Sequence, residues 1–314
     1  MLDYLLLVAG LSILLVGGDV LVRGAVGLAE RLKIPALIIG LTIVAFGTSA
    51  PELFISVQAA LAGVSGIAIG NVVGSNIANV LLVMGLPALI APSRCDDAGI
   101  GRNILVMIGF TVVFMAILLD RSVTQTEGVI LLLLLAFFLY DQFRSAARAN
   151  DETPVDIHEE VGKTPSSLPV ILALIALGLA ALPFGANLTV EAASAIARRW
   201  DVSDDVIGLT IVAIGTSLPE LATTVMATLR SSNSIAIGNV VGSNIFNIGS
   251  IMGITPIIAP MVAANRIVYE DMWVMLACAV LLAVLAHWKI KIGKRVGTAM
   301  VAGYLAYAVL AFIV

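Results

Sequence analysis

The chain has 314 residues, of which 60% are Ala, Val, Ile, Leu, Met, Phe, Trp, Tyr or Cys, and its mean hydropathy is +1.07. Only 12% are charged and the net charge is −4, against about 25% charged residues in an ordinary soluble domain. This composition excludes a disordered chain, a nucleic-acid binder and a disulfide-rich secreted scaffold, and it indicates a polytopic helical membrane protein.

At about 20 apolar residues per crossing, ten spans are predicted in chain order: 3–29, 35–61, 66–90, 103–120, 127–144, 168–197, 205–229, 234–258, 268–288 and 296–314. The start, Met1-Leu2-Asp3-Tyr4, has no basic n-region, so the first stretch reads as a retained span. One hydrophilic linker, 145–166, separates five spans from five, giving units 1–144 and 167–314. His158 falls in that linker and His287 at the end of the ninth span, and neither has metal-ligand spacing. Cys95 and Cys278 read as packing residues. With the N-terminus on one side, the loops on that side carry Arg121, Arg198, Arg199 and Arg266. The loops on the other side carry twelve Lys and Arg residues, so that side is expected to be cytoplasmic, with the linker inside and both termini outside.

The sequence repeats itself. Residues 40–92 align without a gap on 208–260 at a constant offset of 168, with 32 identities in 53 positions. Gly40-Leu-Thr-Ile-Val-Ala-Phe-Gly-Thr-Ser-Ala-Pro-Glu52-Leu returns as Gly208-Leu-Thr-Ile-Val-Ala-Ile-Gly-Thr-Ser-Leu-Pro-Glu220-Leu, and Ile67 to Ile77 returns unchanged as Ile235 to Ile245. Membrane hydrophobicity makes Leu and Val coincide, but it does not place Gly, Thr, Ser, Pro, Glu and Asn in register twice. Five spans per half is odd, so the halves enter the membrane from opposite sides, as inverted repeats whose site is expected near the midplane.

Between Lys33 and Arg94 the only charged residue is Glu52, and between Asp205 and Arg266 only Glu220 and Arg230 are charged. Arg230 closes a span and can snorkel. A lone carboxylate at bilayer depth costs roughly 3 kcal/mol and must face a polar cavity, an opposite charge or an ion. The alternative, a protonated glutamate bridging two helices, would have to arise twice. Pro51 and Pro219 break their spans beside Thr48-Ser49 and Thr216-Ser217 and free a backbone carbonyl one turn earlier. Carbonyls, hydroxyls and carboxylate make an all-oxygen site suited to calcium, sodium or magnesium. In the third and eighth spans Ser75 and Asn79, and again Ser243 and Asn247, share one helix face. Asn71 and Asn239 read as supporting groups one turn away, and Gly70, Gly74, Gly238 and Gly242 as close-packing residues. Two ionised glutamates are neutralised by one Ca²⁺ or by two Na⁺. Asp19, Arg23 and Glu191 read as a structural charge set.

The paired Gly-Thr-Ser-x-Pro-Glu and Gly-Asn-Val-Val-Gly-Ser-Asn-Ile-x-Asn motifs resemble the α-repeats of the sodium/calcium exchangers, in the cation/calcium exchanger superfamily. The resemblance implies ten helices, four of them broken central helices, with long tilted first and sixth helices that slide during alternating access. It carries ion ligation onto Glu52, Glu220, Thr48, Ser49, Thr216, Ser217, Ser75 and Ser243, onto the backbone carbonyls of Ala45 and Ala213, and onto Asn79 and Asn247. Asn at both of the last two positions, where some relatives carry Asp, counts against potassium cotransport.

The resulting expectation is an all-α plasma-membrane antiporter, not an enzyme. It exchanges Na⁺ for Ca²⁺ as a monomer in the bilayer and needs no cofactor and no nucleic acid. Proton coupling on the same fold and a passive cation channel are the alternatives. An intramembrane enzyme is disfavoured because no histidine within the spans stands ready to activate the Thr or Ser hydroxyls.

Overall fold

The computed structural model describes residues 2–93, 95, 97, 99–152, 165, 167–201 and 213–313. His158, most of the linker and the opening of the second repeat, 208–212, lie outside the described residues.

The described chain is almost wholly helical. In order it forms α1 (Leu2–Leu32), α2 (Ala36–Thr48), α3 (Ala50–Leu61), α4 (Ser65–Ile90), α5 (Ile100–Asp120), β1 (Ser122–Val123), α6 (Gln125–Glu152) and α7 (Leu168–Arg199). Then come α8 (Ala213–Thr216), α9 (Leu218–Leu229), α10 (Asn233–Ile258), β2 (Met261–Val262), α11 (Ile267–His287) and α12 (Lys294–Ile313). Seven of these helices are long and apolar enough to cross a membrane, or eight when α2 and α3, bent by 42° at Ser49, count as one span. The predicted spans 205–229 and 296–314 correspond to the short α8 with α9 and to α12. Helix α6 runs through residues 145–152 of the predicted linker, because the Ala-rich sequence there favours helix. A capping box starts that helix: the Thr124 hydroxyl donates to Glu127 at 2.8 Å, and the Glu127 amide donates back to Thr124 at 3.4 Å.

The sequence repeat is reproduced in backbone detail. At the offset of 168, α3 maps onto α9 and α8 onto the last turn of α2 (Ala45–Thr48). The helical runs Ser65–Ala78 and Asn233–Phe246 map onto each other, as do the wider π-type turns Asn79–Val83 and Asn247–Ile251 that follow them. Residues with positive φ recur at the same offset, Lys33 with Asp201, Gly63 with Ser231 and Arg121 with Lys289. Each follows a helix end, where the left-handed conformation turns the chain out of the helix.

Burial sorts the helices. The spanning window of α10 is 100% buried and that of α4 72%, whereas α6, α7 and α1 bury only 22%, 28% and 33%. The first two are therefore the centre, and the outer helices present Leu5, Leu105, Phe137 and Phe143 outward, an apolar exterior suited to lipid. Helices α1 and α7 lie antiparallel in close contact: Gly10 meets Gly185 and Thr189, Leu21 meets Gly178, and Gly24 meets Ile171 and Ile175. Small residues let the backbones approach there. Strands β1 and β2 pair antiparallel, and a single bridge joins Ser93 to Ile292.

Candidate functional site

The site begins with two prolines. Pro51 and Pro219 occupy the first turns of α3 and α9, where a missing amide is tolerated. Neither can donate to the carbonyl four residues back, so the helix is interrupted at Ser49 (φ −83°, ψ 3°) and at Ser217 (φ −87°, ψ 6°). Glu52 and Glu220 follow in the first turns of the new helices, at their positive ends. Both are 0% exposed, and their carboxylates lie within electrostatic reach of each other.

The surrounding groups are tied by hydrogen bonds that repeat between halves. Asn71 donates to the Glu52 carbonyl at 3.2 Å and to Ser56 Oγ at 3.0 Å. Asn239 donates to the Glu220 carbonyl at 3.3 Å and to Thr224 Oγ1 at 3.1 Å. Each asparagine thus holds the backbone of its glutamate from a neighbouring helix. The two central helices α4 and α10 are joined reciprocally. Asn79 Nδ2 donates to Asn244 Oδ1 at 3.0 Å, and Asn247 Nδ2 donates to Asn76 Oδ1, also at 3.0 Å. These two bonds exchange under the repeat offset. Asn247 also donates to Ser75 Oγ at 2.9 Å, and Asn76 to the Asn244 carbonyl at 3.3 Å.

Around the glutamates the network is not symmetric. Ser49 Oγ donates to Glu220 Oε1 at 3.3 Å. Thr48 Oγ1 donates to Asn239 Oδ1 at 3.1 Å and lies 3.5 Å from Ser243 Oγ. Among the described residues, both oxygens of Glu52 are buried with no hydrogen-bond partner, as are Glu220 Oε2, Ser217 Oγ, Asn79 Oδ1 and Asn247 Oδ1. Buried acceptors without donors are costly, and here they are oxygens gathered on the residues that flank the two helix breaks and the two central helices. That donor set suits a hard cation, which needs no proton to bind a lone pair. Among the described residues there is no cluster of three His, Cys, Asp or Glu, so a zinc-type site is not formed.

The structure therefore brings Glu52, Glu220, Thr48, Ser49, Ser217, Ser75, Ser243, Asn79 and Asn247 onto one buried assembly of α2, α3, α4, α9 and α10. Thr216 is buried at the end of α8. The Ala45 carbonyl accepts the Ser49 amide at 3.0 Å and the Thr48 hydroxyl at 3.3 Å, so an ion there would have to displace one of them. Ala213 opens α8 next to the undescribed stretch. Asn76 and Asn244 join the site although the sequence motifs alone assign them no role. Their reciprocal role is signalled by their own repetition at the offset of 168. Nor do the motifs give the partner of Asp19, which is Arg230 at the end of α9; Arg23 adds a contact at 3.6 Å, and Glu191 is exposed.

One side of the assembly is packed shut. Gly238 lies against Leu37, Gly40 and Leu41, and Gly242 against Leu41 and Ala45, so that a Cβ on Gly242 would sit 2.6 Å from that of Ala45. On the repeat-related face Gly70, Asn71 and Gly74 are only partly buried.

The chain matches the family described as "Sodium/calcium exchanger protein" over residues 2–144 and 170–313. It is 39% identical over 308 residues to the putative antiporter CaxA of Alkalimonas amylolytica, covering 96% of each chain. It is 33% identical over 346 residues to the sodium/calcium exchanger MaX1 of Methanosarcina acetivorans, covering 99% of this chain and 98% of that one. The solved structure of the sodium-calcium exchanger NCX_Mj, soaked with Na⁺ and Sr²⁺, superposes with a TM-score of 0.84 at 34% identity and covers 98% of both chains. The chain belongs to the sodium/calcium exchanger family.

Proposed function

We propose that this protein exchanges Na⁺ for Ca²⁺ by alternating access at the Glu52–Glu220 site. The observation that carries the reading is the set of buried oxygens on Glu52, Glu220, Ser217, Asn79 and Asn247 that find no donor among the described residues. Two carboxylates bring a charge of −2, matched by one Ca²⁺ or two Na⁺, so that one cargo displaces the other. Thr48, Ser49, Thr216, Ser217, Ser75 and Ser243 complete the shells with the Ala45 and Ala213 carbonyls.

The reading takes the chain as ten transmembrane helices in two inverted repeats, 1–144 and 167–314, in the plasma (inner) membrane. The linker 145–166 is cytoplasmic, both termini are outside, and the monomer is the working unit. Inversion is supported by the antiparallel contact of α1 with its counterpart α7 and by the reciprocal bonds of Asn79 with Asn244 and Asn247 with Asn76. Alternating access is supported by the tight packing of Gly238 and Gly242 on one side, while Asn71 and Gly74 stay partly open on the other. Exchange of these two packings between halves would move access across the membrane.

A second reading, proton coupling, draws on the same orphaned Glu52 oxygens, either of which could take a proton. Calcium uptake by purified protein in sodium-loaded liposomes separates the two. Uptake that requires internal sodium and fails in Glu52→Gln and Glu220→Gln supports sodium exchange. Uptake that ignores sodium and follows an imposed pH gradient replaces it with proton exchange.

A further inference from the structure

A groove runs between the start of α5 and the end of α11. Gly101, Ile104 and Leu105 line one wall, and Val280, Ala283 and His287 line the other. Within each wall the residues stand three or four positions apart, so each set shares one helix face. With Trp288 and Lys289 at the mouth, the groove encloses about 490 Å³, a volume in the range of ligand pockets, about 300–1,000 Å³. Gly101, Leu105 and Val280 are exposed on the apolar exterior, so the groove opens sideways, toward lipid.

The positions related by the offset of 168 lie at the opposite ends of the same two helices, and they carry larger side chains. The counterparts of Gly101, Leu105 and Ala283 are Tyr269, Trp273 and Met115. Side-chain size thus opens the groove at one end of this helix pair, and a Cβ at Gly101 would meet nothing within 4 Å. Charge differs in the same sense. Lys289, Lys291, Lys294 and Arg295 follow Trp288 within seven residues, and no Asp or Glu occurs after Asp271. Lys289 is exposed and has no ion-pair partner among the described residues. Its counterpart Arg121 is engaged, donating to the Ala263 carbonyl at 3.4 Å. Asp97, the acidic group in the lining, is drawn to α10, where Ser234 Oγ donates to its Oδ1 at 2.9 Å. Trp288 is 65% exposed, with the His287 ring edge-on to it at 5.8 Å, an amphipathic aromatic of the kind that settles at headgroup level.

We propose that this groove holds one acidic phospholipid, with an acyl chain between α5 and α11 and the phosphate at Lys289 and Trp288. A phosphate diester only accepts hydrogen bonds, and the Lys289 ammonium and the Trp288 indole N–H only donate them. The depths agree. From His287 to Val280 the α11 stripe runs about 10 Å, inside the roughly 15 Å of one hydrocarbon leaflet, and Lys289 stands where a headgroup would. An apolar groove by itself takes any lipid tail. The basic segment 289–295 beside it favours a headgroup of net negative charge. The lipid tail would fill the space that the larger residues fill at the other end, and so brace α5 against α11. The groove shares no residue with the Glu52–Glu220 assembly, and the inference does not depend on which ions are exchanged.

The test uses the full-length protein freed of lipid in detergent, followed by native mass spectrometry and thermal melting. Phosphatidylglycerol, phosphatidylcholine or glycerol 3-phosphate is added. Phosphatidylglycerol is expected to stay bound as one copy, about ten-fold more tightly than phosphatidylcholine, and to raise the melting temperature, while glycerol 3-phosphate does neither. The double variant Gly101→Tyr with Ala283→Met gives the groove the residues of its counterpart and should lose the bound copy. Lys289→Gln should bind the two phospholipids about equally, and Lys289→Arg should keep the preference. Equal affinity of the unmodified protein for the two phospholipids, or undiminished binding of phosphatidylglycerol by the filled variant, would overturn the site. Glycerol 3-phosphate binding as tightly as phosphatidylglycerol would assign the mouth to a soluble phosphate and overturn the lipid. If the filled variant melts early without lipid, the surface variant Lys289→Gln decides: an unchanged preference in it overturns the headgroup contact.

Discussion

Glu52 and Glu220 stand in nearly identical sequences and in different surroundings. Glu220 accepts from Ser49, and the asparagine that holds its backbone, Asn239, is fully buried between Thr48 on α2 and Glu220 and Thr224 on α9. Among the described residues Glu52 has no hydrogen-bond partner on either oxygen, and its equivalent asparagine, Asn71, is only partly buried. Residues 67–77 and 235–245 are the same amino acids, so the two asparagines differ through the neighbours each copy is packed against, and such a difference is one a conformational change can reverse. The comparison also separates two kinds of polar group. Amide nitrogens in the site are engaged in fixing backbone and neighbouring helices, while several oxygens are left open.

The comparison breaks most readily at the carboxylates. Glu52→Gln and Glu220→Gln are each expected to reduce sodium-driven Ca²⁺ uptake in liposomes by about two orders of magnitude, in line with about 3–5 kcal/mol for removing one charge from a buried, compensated set. A variant with near-normal uptake would show that its carboxylate lies outside the transport site.

The packing asymmetry gives the next largest effect. Gly242→Ala places a Cβ 2.6 Å from Ala45 Cβ and 2.7 Å from the Leu41 carbonyl, an overpacking worth about 2 kcal/mol. Gly74→Ala meets nothing within 4 Å among the described residues. The first is expected to shift the population toward the state open on that side by about thirty-fold, and the second to leave it nearly unchanged. Accessibility of an engineered cysteine to a membrane-impermeant reagent reads both. Equal responses would mean that the two halves are packed alike.

A sharper test uses the reciprocal pair. Asn79→Ala removes the bond to Asn244, and Asn247→Ala removes the bonds to Asn76 and Ser75, so each should lower thermal stability by about 1–3 kcal/mol, the second more than the first. A larger loss in Asn79→Ala would show that the bond to Ser75 adds nothing. The smallest effect belongs to Asp19→Asn. Asp19 and Arg230 are each about one-fifth exposed, so loss of the pair should cost about 1 kcal/mol or less. A fall of the melting temperature larger than that produced by the asparagine variants would mark it as a central tie.

Most of the frame was legible in the chain because it depends on short-range pattern. Apolar runs set the helices, Pro51 and Pro219 set the breaks, and the constant offset set the correspondence between halves. The buried carboxylates were legible because nothing else charged accompanies Glu52 across its two spans. What did not appear depends on distant partners. Asp19 meets Arg230 across 211 positions of chain. Nothing in the residues after Asn79 and Asn247 announces the wider turns there, since a π-type bond pattern is set by how the helix must pass its neighbour.

The paired bonds of Asn76, Asn79, Asn244 and Asn247 bear on descent. A duplicated gene frees each copy to drift, yet a residue bonded to the other copy is not free in the same way. Any change at Asn79 is met at once by an unaltered Asn244, and any change at Asn247 by an unaltered Asn76. Acceptable change there needs two coordinated events, whereas positions such as 55 and 223, now Ile and Thr, have parted company. The eleven unbroken identities from Ile67 to Ile77 are then the mark of two copies that have had to remain compatible with each other.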